Sequence, residues 1–214
     1  MRKLLAEEMA ALAPALQRCA GAHALLLSAT TDAPPDVPML GHWTRLSLGD
    51  GRLDGDVRAS AREPLPFVDE AFDLILLRHA LERAPLPPAL LQELVRSLAP
   101  GGVLVLTGVH PLSGWIPWWH WRTRGRPLRL HTPWRLGSWL RRAELQVEQV
   151  RRVGRAWPSA SAGRPGGGSF LGGGYLLLAR KRRAMVLPVR LRPQAVAARA
   201  NAGLVSRVRH PLAA

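Results

Sequence analysis

The stretch from Leu65 to Gly108 constrains the fold more than any other part of the chain. Residues 72–77 form a short, nearly continuous apolar run, which is typical of a strand buried on both faces of a parallel sheet. From Pro88 to Leu98 apolar residues recur at helical spacing, and Pro100-Gly101-Gly102 ends that helix. Residues 103–106 form a second apolar run. Because two parallel strands need a crossover of this length, the stretch predicts a right-handed β–α–β unit.

The segments on either side predict the remaining elements of an α/β fold. Before the unit, we expect a helix over about 3–19, bent or broken near Pro14, and strands over 24–27 and 42–48. After it, we expect a helix that begins at Thr132-Pro133. Two last strands, 147–153 and 174–179, would pair as an antiparallel hairpin. The predicted architecture is a doubly wound, mostly parallel sheet with a C-terminal antiparallel hairpin.

Length and composition indicate one domain and a tail. The chain has 214 residues and no apolar run as long as the ~18 residues that a membrane span needs. Glu7 and Glu8 interrupt the segment that would be the apolar region of a signal peptide, and Cys19 is the only cysteine. We therefore expect a cytoplasmic protein with one domain over 1–183. A basic tail that we predict to be disordered would follow over 184–214.

The charge is concentrated in the second half. Residues 1–100 hold 10 Lys and Arg against 13 Asp and Glu, whereas residues 101–214 hold 20 against 2. A basic half predicts contact with nucleic acid or another anionic surface. Nearly all of the positive charge is arginine, however, and the coding bias of a GC-rich genome explains that composition equally well.

Several spaced motifs resemble class I S-adenosylmethionine-dependent methyltransferases. They are LPF at 65–67, DEAFDLILL at 69–77, HALE at 79–82 and LLQELVRSLAPGG at 90–102. The resemblance implies a Rossmann-like fold, S-adenosylmethionine as cofactor and methyl transfer to an acceptor that the motifs do not identify. SATTDAPP, at 28–35, stands where this family carries a glycine-rich turn after the first strand.

The resemblance also implies which residues would bind the cofactor. Ser28, Ala29 and Thr30 stand at the position of the glycine turn, where small side chains still permit close approach. Asp32 is either a ligand of the cofactor's ammonium group or a solvated loop residue. Asp50 stands where the family binds the ribose hydroxyls, although it is equally well a polar turn residue. Other members carry an Asp near Ser60 that contacts adenine, and Arg78 and His79 line the methionine end.

Two histidines are the predicted catalytic residues. His79 follows a buried strand, where ligands gather in doubly wound sheets, so a neutral imidazole there could bind the cofactor or accept a proton. The alternative is a histidine that caps the loop. His110 follows the next strand, where a branch of the family has Asn. An insertion at 115–131, rich in Trp and Arg, would be an acceptor lid, a cover packed on the sheet or an interfacial patch.

Two functions remain in competition at this stage. The first is methyl transfer from S-adenosylmethionine. The second is a catalytically inactive methyltransferase-like module that binds RNA or an anionic surface. A metal hydrolase is disfavoured because the histidines lack HxxxH or HExxH spacing, and a serine hydrolase because GxSxG is absent.

Overall fold

The structure, a computed structural model, describes residues 2–30, 33–113, 116–117, 129–153 and 173–182, with side chains from residue 8 onward. These residues belong to one compact unit, Met1–Ala184. Asp32, most of the predicted 115–131 insertion and the predicted tail at 184–214 lie outside the described residues, so these predictions stay untested. Among the described helices, none combines the length and apolar character that crossing a bilayer would require.

The described strands form one eight-stranded sheet. In chain order they are β1 (Gly21–Ser28), β2 (Leu40–Gly49), β3 (Arg52–Gly55), β4 (Ala59–Ser60), β5 (Phe72–Arg78), β6 (Leu98–Val109), β7 (Leu145–Val153) and β8 (Gly174–Lys181). Their order across the sheet is β4-β3-β2-β1-β5-β6-β8-β7. The four strands β2, β1, β5 and β6 are parallel, and β8 pairs antiparallel with both β6 and β7. The predicted mostly parallel sheet with a C-terminal antiparallel hairpin is therefore confirmed.

Three helices are described: α1 (Arg2–Leu16), α2 (Pro87–Ser97) and α3 (Pro133–Arg142). Proline at the first turn starts both α2 and α3, and the Thr132 hydroxyl caps α3 by accepting the Arg135 backbone N–H at 3.3 Å. The helix is not broken near Pro14, because α1 runs through Pro14 and ends two residues later. Proline has no backbone N–H, so it removes one hydrogen bond of the helix without ending it.

Both faces of the sheet are buried. Leu25 and Leu27 of β1 pack into the core on one face, together with apolar residues of α2 and α3. Leu26 packs into the core on the other face, with Leu12 and Leu16 of α1. Because successive strand residues point to opposite faces, burial on both faces gives the unbroken apolar run that identified this strand in the sequence.

The connection from β1 to β2 is unusual for parallel strands. It consists of residues 29–39, and its described part contains no helix, although parallel neighbours are usually joined by one. Val37 in this connection is buried in the same core as α1. After β2 the chain turns at Asp50-Gly51, where both residues have positive φ, +47° and +78°. This is the two-residue hairpin turn that Asp-Gly favours, and it places β3 antiparallel beside β2.

Candidate functional site

The carboxyl ends of the central strands bring three polar residues into register. Ser28 of β1 pairs with Arg78 of β5, and Arg78 pairs with Thr107 of β6. All three are buried. The Ser28 hydroxyl lies 3.1 Å from the backbone N–H of Thr30, which donates to it, and 3.0 Å from the Thr30 hydroxyl. This chain has no glycine-rich turn after β1. The Ser28 side chain closes the turn there instead.

A cavity of about 740 Å³ lies beside the turn that follows β2. Two of the predicted cofactor residues, Asp50 and Ser60, line it. Four arginines and a second aspartate also line it: Arg52, Arg58, Arg62, Arg83 and Asp54. Asp54 is 3.8 Å from the guanidinium of Arg58. The remaining guanidinium groups make the cavity wall predominantly positive, which suits a ligand that carries a carboxylate or another anionic group.

Arg83 connects this cavity to the loop after β1. Its Nη1 donates to the backbone oxygen of Ala29 at 2.9 Å, while its side chain also lines the cavity. The sequence motifs do not single out Arg83 as a cofactor residue. The Glu82 carboxylate is buried and accepts the Val109 backbone N–H at 2.9 Å. Arg83 is therefore a site residue that the sequence did not reveal, because its role depends on a contact 54 residues away.

His79 lies at the carboxyl edge of β5 but does not line the cavity. Its side chain is 1 % exposed and its backbone adopts a left-handed φ of +53°. Nε2 lies 3.1 Å from Oε2 of Glu8 in α1, and Nδ1 lies 3.9 Å from Oε1 of Glu82. Burial alone would lower the pKa of His79, but the two carboxylates raise it to about 10. The sequence suggested a neutral imidazole, whereas the raised pKa favours a protonated ring at neutral pH.

His110, on the loop after β6, is held in the opposite protonation state. Nη2 of Arg152 lies 2.7 Å from its Nδ1 and 2.8 Å from its Nε2, and the Leu112 backbone N–H donates to Nδ1 at 3.1 Å. Burial and the Arg152 charge lower the pKa of His110. Because an imidazolium has no acceptor atom for these donors, the arrangement favours the neutral ring. A neutral histidine half-buried at a strand end can accept a proton from a nearby hydroxyl.

The predicted site residues thus fall into three groups. Asp50 and Ser60 line the cavity, and Ala29 reaches its edge through Arg83. Ser28 and Thr30, on either side of Ala29, do not line it and are hydrogen-bonded to each other. Arg78 and His79 are buried at the carboxyl edge of the sheet, where Glu8 and Glu82 surround the histidine. His110 pairs with Arg152 of β7. No local pattern in the sequence identifies Glu8 or Arg152, since each contacts a histidine that is more than 40 positions away in the chain.

The cavity contains groups that match the polar parts of S-adenosylmethionine. A carboxylate at Asp50 can accept hydrogen bonds from ribose hydroxyls, Ser60 offers a hydroxyl to the adenine amine, and Arg83 offers a guanidinium to the methionine carboxylate. These residue types fit the cofactor that the sequence implied. Within the described part of the chain, no group of three or more His, Cys, Asp or Glu side chains is arranged to hold a metal ion.

The sheet and the cavity at its carboxyl edge indicate a class of protein. A doubly wound parallel sheet with an acidic residue and a cavity at the carboxyl edge is typical of domains that bind a nucleoside-containing ligand. A family model described as "methyltransferase domain" matches residues 10–150. The chain belongs to that methyltransferase-domain family, and its sheet is the class I S-adenosylmethionine methyltransferase fold.

The chain is also similar to individual proteins. Over 97 residues it is 38 % identical to phthiotriol/phenolphthiotriol dimycocerosates methyltransferase 1 of Mycobacterium ulcerans, a match that covers 45 % of this chain and 32 % of the relative. The matched region is thus about a third of the relative's length.

Two solved structures share the fold at low sequence identity. One, of a protein of Bacillus halodurans assigned as a methyltransferase, aligns with a TM-score of 0.57 at 16 % identity over 82 % of this chain and 99 % of that chain. The other, an S-adenosylmethionine-dependent methyltransferase of Aquifex aeolicus, aligns with a TM-score of 0.51 at 15 % identity over 83 % and 90 %. At such identities the likeness shows the fold alone.

Proposed function

We propose that the protein is an S-adenosylmethionine-dependent methyltransferase that acts on a hydroxyl group. The cavity beside Asp50 carries this proposal, because it combines a carboxylate, a hydroxyl and a guanidinium at the edge where the family binds its cofactor. Membership of the methyltransferase-domain family supports it. When bound, S-adenosylmethionine would supply a methyl group activated by a positively charged sulfur.

The chain's own residues would bind and orient the reactants. Asp50 would hold the ribose, Ser60 the adenine amine and Arg83 the carboxylate. The turn of Ser28, Ala29 and Thr30 would form the wall of the cofactor site at the end of β1. His110, kept neutral by Arg152, would accept the proton that the acceptor hydroxyl loses. Reactions of this kind depend mainly on alignment, so a single proton acceptor is enough.

The choice of a hydroxyl acceptor has two supports. The first is the neutral state of His110, since a proton acceptor assists transfer to a hydroxyl. The second is the Mycobacterium ulcerans relative, which is named for its action on phthiotriol and phenolphthiotriol dimycocerosates. We extend to this chain only the class of acceptor, a hydroxyl group.

The connection between β1 and β2, whose described part contains no helix, favours a second candidate, a related module without catalysis. The backbone oxygen of Ala29 in this connection is already bonded to Arg83, at the place where a glycine loop would approach a ligand. Such a module would keep the fold and lose the cofactor.

Calorimetric titration of the whole chain with S-adenosylmethionine and with S-adenosylhomocysteine separates the two candidates. We expect both ligands to bind, and Asp50→Asn to weaken both by about tenfold because one charged hydrogen-bond acceptor is lost. Asparagine tolerates the left-handed backbone at this position, so the turn should persist. Asp36→Asn, at an exposed position in the β1–β2 connection, is the matched control. No heat at millimolar ligand would reject methyl transfer and leave the second candidate.

A further inference from the structure

Helix α3 presents an outward face that its own fold does not use. Leu136, Gly137 and Leu140 are buried against the sheet, with no more than a few per cent of their surface exposed. The opposite face carries Trp134, Arg135, Arg141 and Arg142, all of them exposed. We call these four residues the α3 surface.

One large residue of the α3 surface is apolar. Trp134 is 82 % exposed, although a tryptophan is among the side chains that gain most from leaving water. The second tryptophan of the helix behaves differently, since Trp139 is partly buried and packs against the core beside His131. The helix therefore uses one tryptophan for packing and leaves the other in solvent.

The charged side chains of the α3 surface are all arginines, and one exposed acidic residue, Glu144, follows the helix. Arg141 and Arg142 lie in the last turn of α3, and the guanidinium of Arg135 lies 5.1 Å from the ring centre of Trp139. The sequence around the helix has the same character. From His110 to Ala143 it contains six of the eight tryptophans, seven arginines and no acidic residue. The arginines of such a surface attract a partner rich in anionic groups. The amphipathic tryptophan side chain suits a partner that is also partly apolar.

We propose that the α3 surface docks the protein on an anionic lipid bilayer. The arginines would meet anionic headgroups, and Trp134 would enter the interfacial layer, where tryptophan is enriched. A bilayer fits better than a nucleic acid, because the α3 surface offers one exposed aromatic ring, Trp134, among arginines. An interfacial layer accommodates a single indole, whereas successive bases of a single strand stack on several aromatic side chains.

The inference goes beyond the proposed function and does not depend on it. Docking needs only the outer face of α3, whereas methyl transfer needs the cavity beside Asp50. The two can therefore fail separately if binding to lipid is measured without S-adenosylmethionine.

Sedimentation of the full chain with vesicles tests the proposal. We expect binding to vesicles of equimolar phosphatidylcholine and phosphatidylglycerol, and little binding to phosphatidylcholine alone. Arg141→Gln should weaken binding about fivefold, as expected for loss of one basic residue near an anionic surface. Trp134→Ser should weaken it about tenfold through lost apolar contact. Arg141→Lys should bind like the unchanged protein, because it keeps the charge.

The matched control is Arg18→Gln, which removes the same charge from an exposed position just after α1. It should bind as tightly as the unchanged protein. Equal losses for Arg18→Gln and Arg141→Gln would overturn the proposal in favour of nonspecific charge attraction. Full binding by Trp134→Ser would also overturn it. So would a dependence on Arg141 that appears with single-stranded RNA and not with vesicles.

Discussion

The Nε2 atom of His79 lies 3.1 Å from Oε2 of Glu8, and the two residues are 71 positions apart in the chain. Both side chains are buried, at 1 % and 0 % exposure. The pair therefore fixes helix α1 to the carboxyl end of β5, with Glu82 as a second carboxylate on the other side of the imidazole. His79 acts here as a buried charge that joins elements, so its contribution to stability can be measured separately from cofactor binding.

The first prediction concerns the partner of that charge. Glu8→Gln leaves the His79 imidazolium with one carboxylate, so we expect a loss of about 3 kcal/mol in the free energy of unfolding. For a chain of this length that corresponds to a fall of roughly 6–12 °C in melting temperature. Calorimetry or thermal circular dichroism measures it. Glu63→Gln, at an exposed position, should melt with the unchanged protein. Equal melting temperatures for Glu8→Gln and the parent would contradict the buried pair.

The second prediction is a dependence of stability on pH. The pKa of His79 in the folded protein, about 10, lies above the ordinary histidine value of 6.5 expected in the unfolded chain. The extra stability is then fully present below pH 6.5 and is lost as the pH rises through about 10. Urea unfolding across this range should show a progressive loss.

The His79→Gln variant should be less stable and should lack most of that pH dependence. His23→Gln removes an exposed histidine and should keep the parent's profile. A His79→Gln profile parallel to that of the parent would show that other groups cause the loss at high pH.

The third prediction separates the two ends of the cofactor. Arg83 lines the cavity, and we propose that it pairs with the methionine carboxylate. Arg83→Gln should therefore weaken S-adenosylmethionine binding by about tenfold and leave the affinity for adenosine, which has no carboxylate, nearly unchanged. Calorimetric titration with each ligand measures both affinities. Equal losses for the two ligands would mean that Arg83 acts by holding the Ala29 loop and not by pairing with the carboxylate.

The fourth prediction concerns the protonation of His110. Burial and Arg152 lower its pKa, so Arg152→Gln should raise the pKa toward the ordinary histidine value. Proton NMR titration measures this shift, and His110→Asn identifies the resonance. In any methylation assay, activity limited by His110 should fall as the pH drops through this lowered pKa. In Arg152→Gln the loss of activity should occur at a higher pH, because the pKa of His110 is higher in that variant. An unchanged NMR pKa in Arg152→Gln would contradict the proposed electrostatic control.

The sheet could be predicted from the sequence because its signals are local. Leu74, Ile75 and Leu76 are consecutive and apolar, and each is buried since both faces of the strand are covered. Pro87 and Thr132 mark helix starts through rules that involve only the next few residues. The candidate site was predicted in part for the same reason. Asp50 follows directly after its strand, and the structure places it and Ser60 on one cavity.

The sequence by itself determined the order, type and approximate bounds of six of the eight described strands and of α2 and α3, because propensity, periodicity and caps act over a few residues. It did not predict the short strands β3 and β4. Only the tertiary structure decided the chemical state of the histidines and the role of Arg83. The charge of His79 depends on Glu8, the neutrality of His110 on Arg152 and the position of Arg83 on Ala29. Each contact joins residues more than 40 positions apart, and electrostatic energies depend on distance and burial in space, which no local pattern contains.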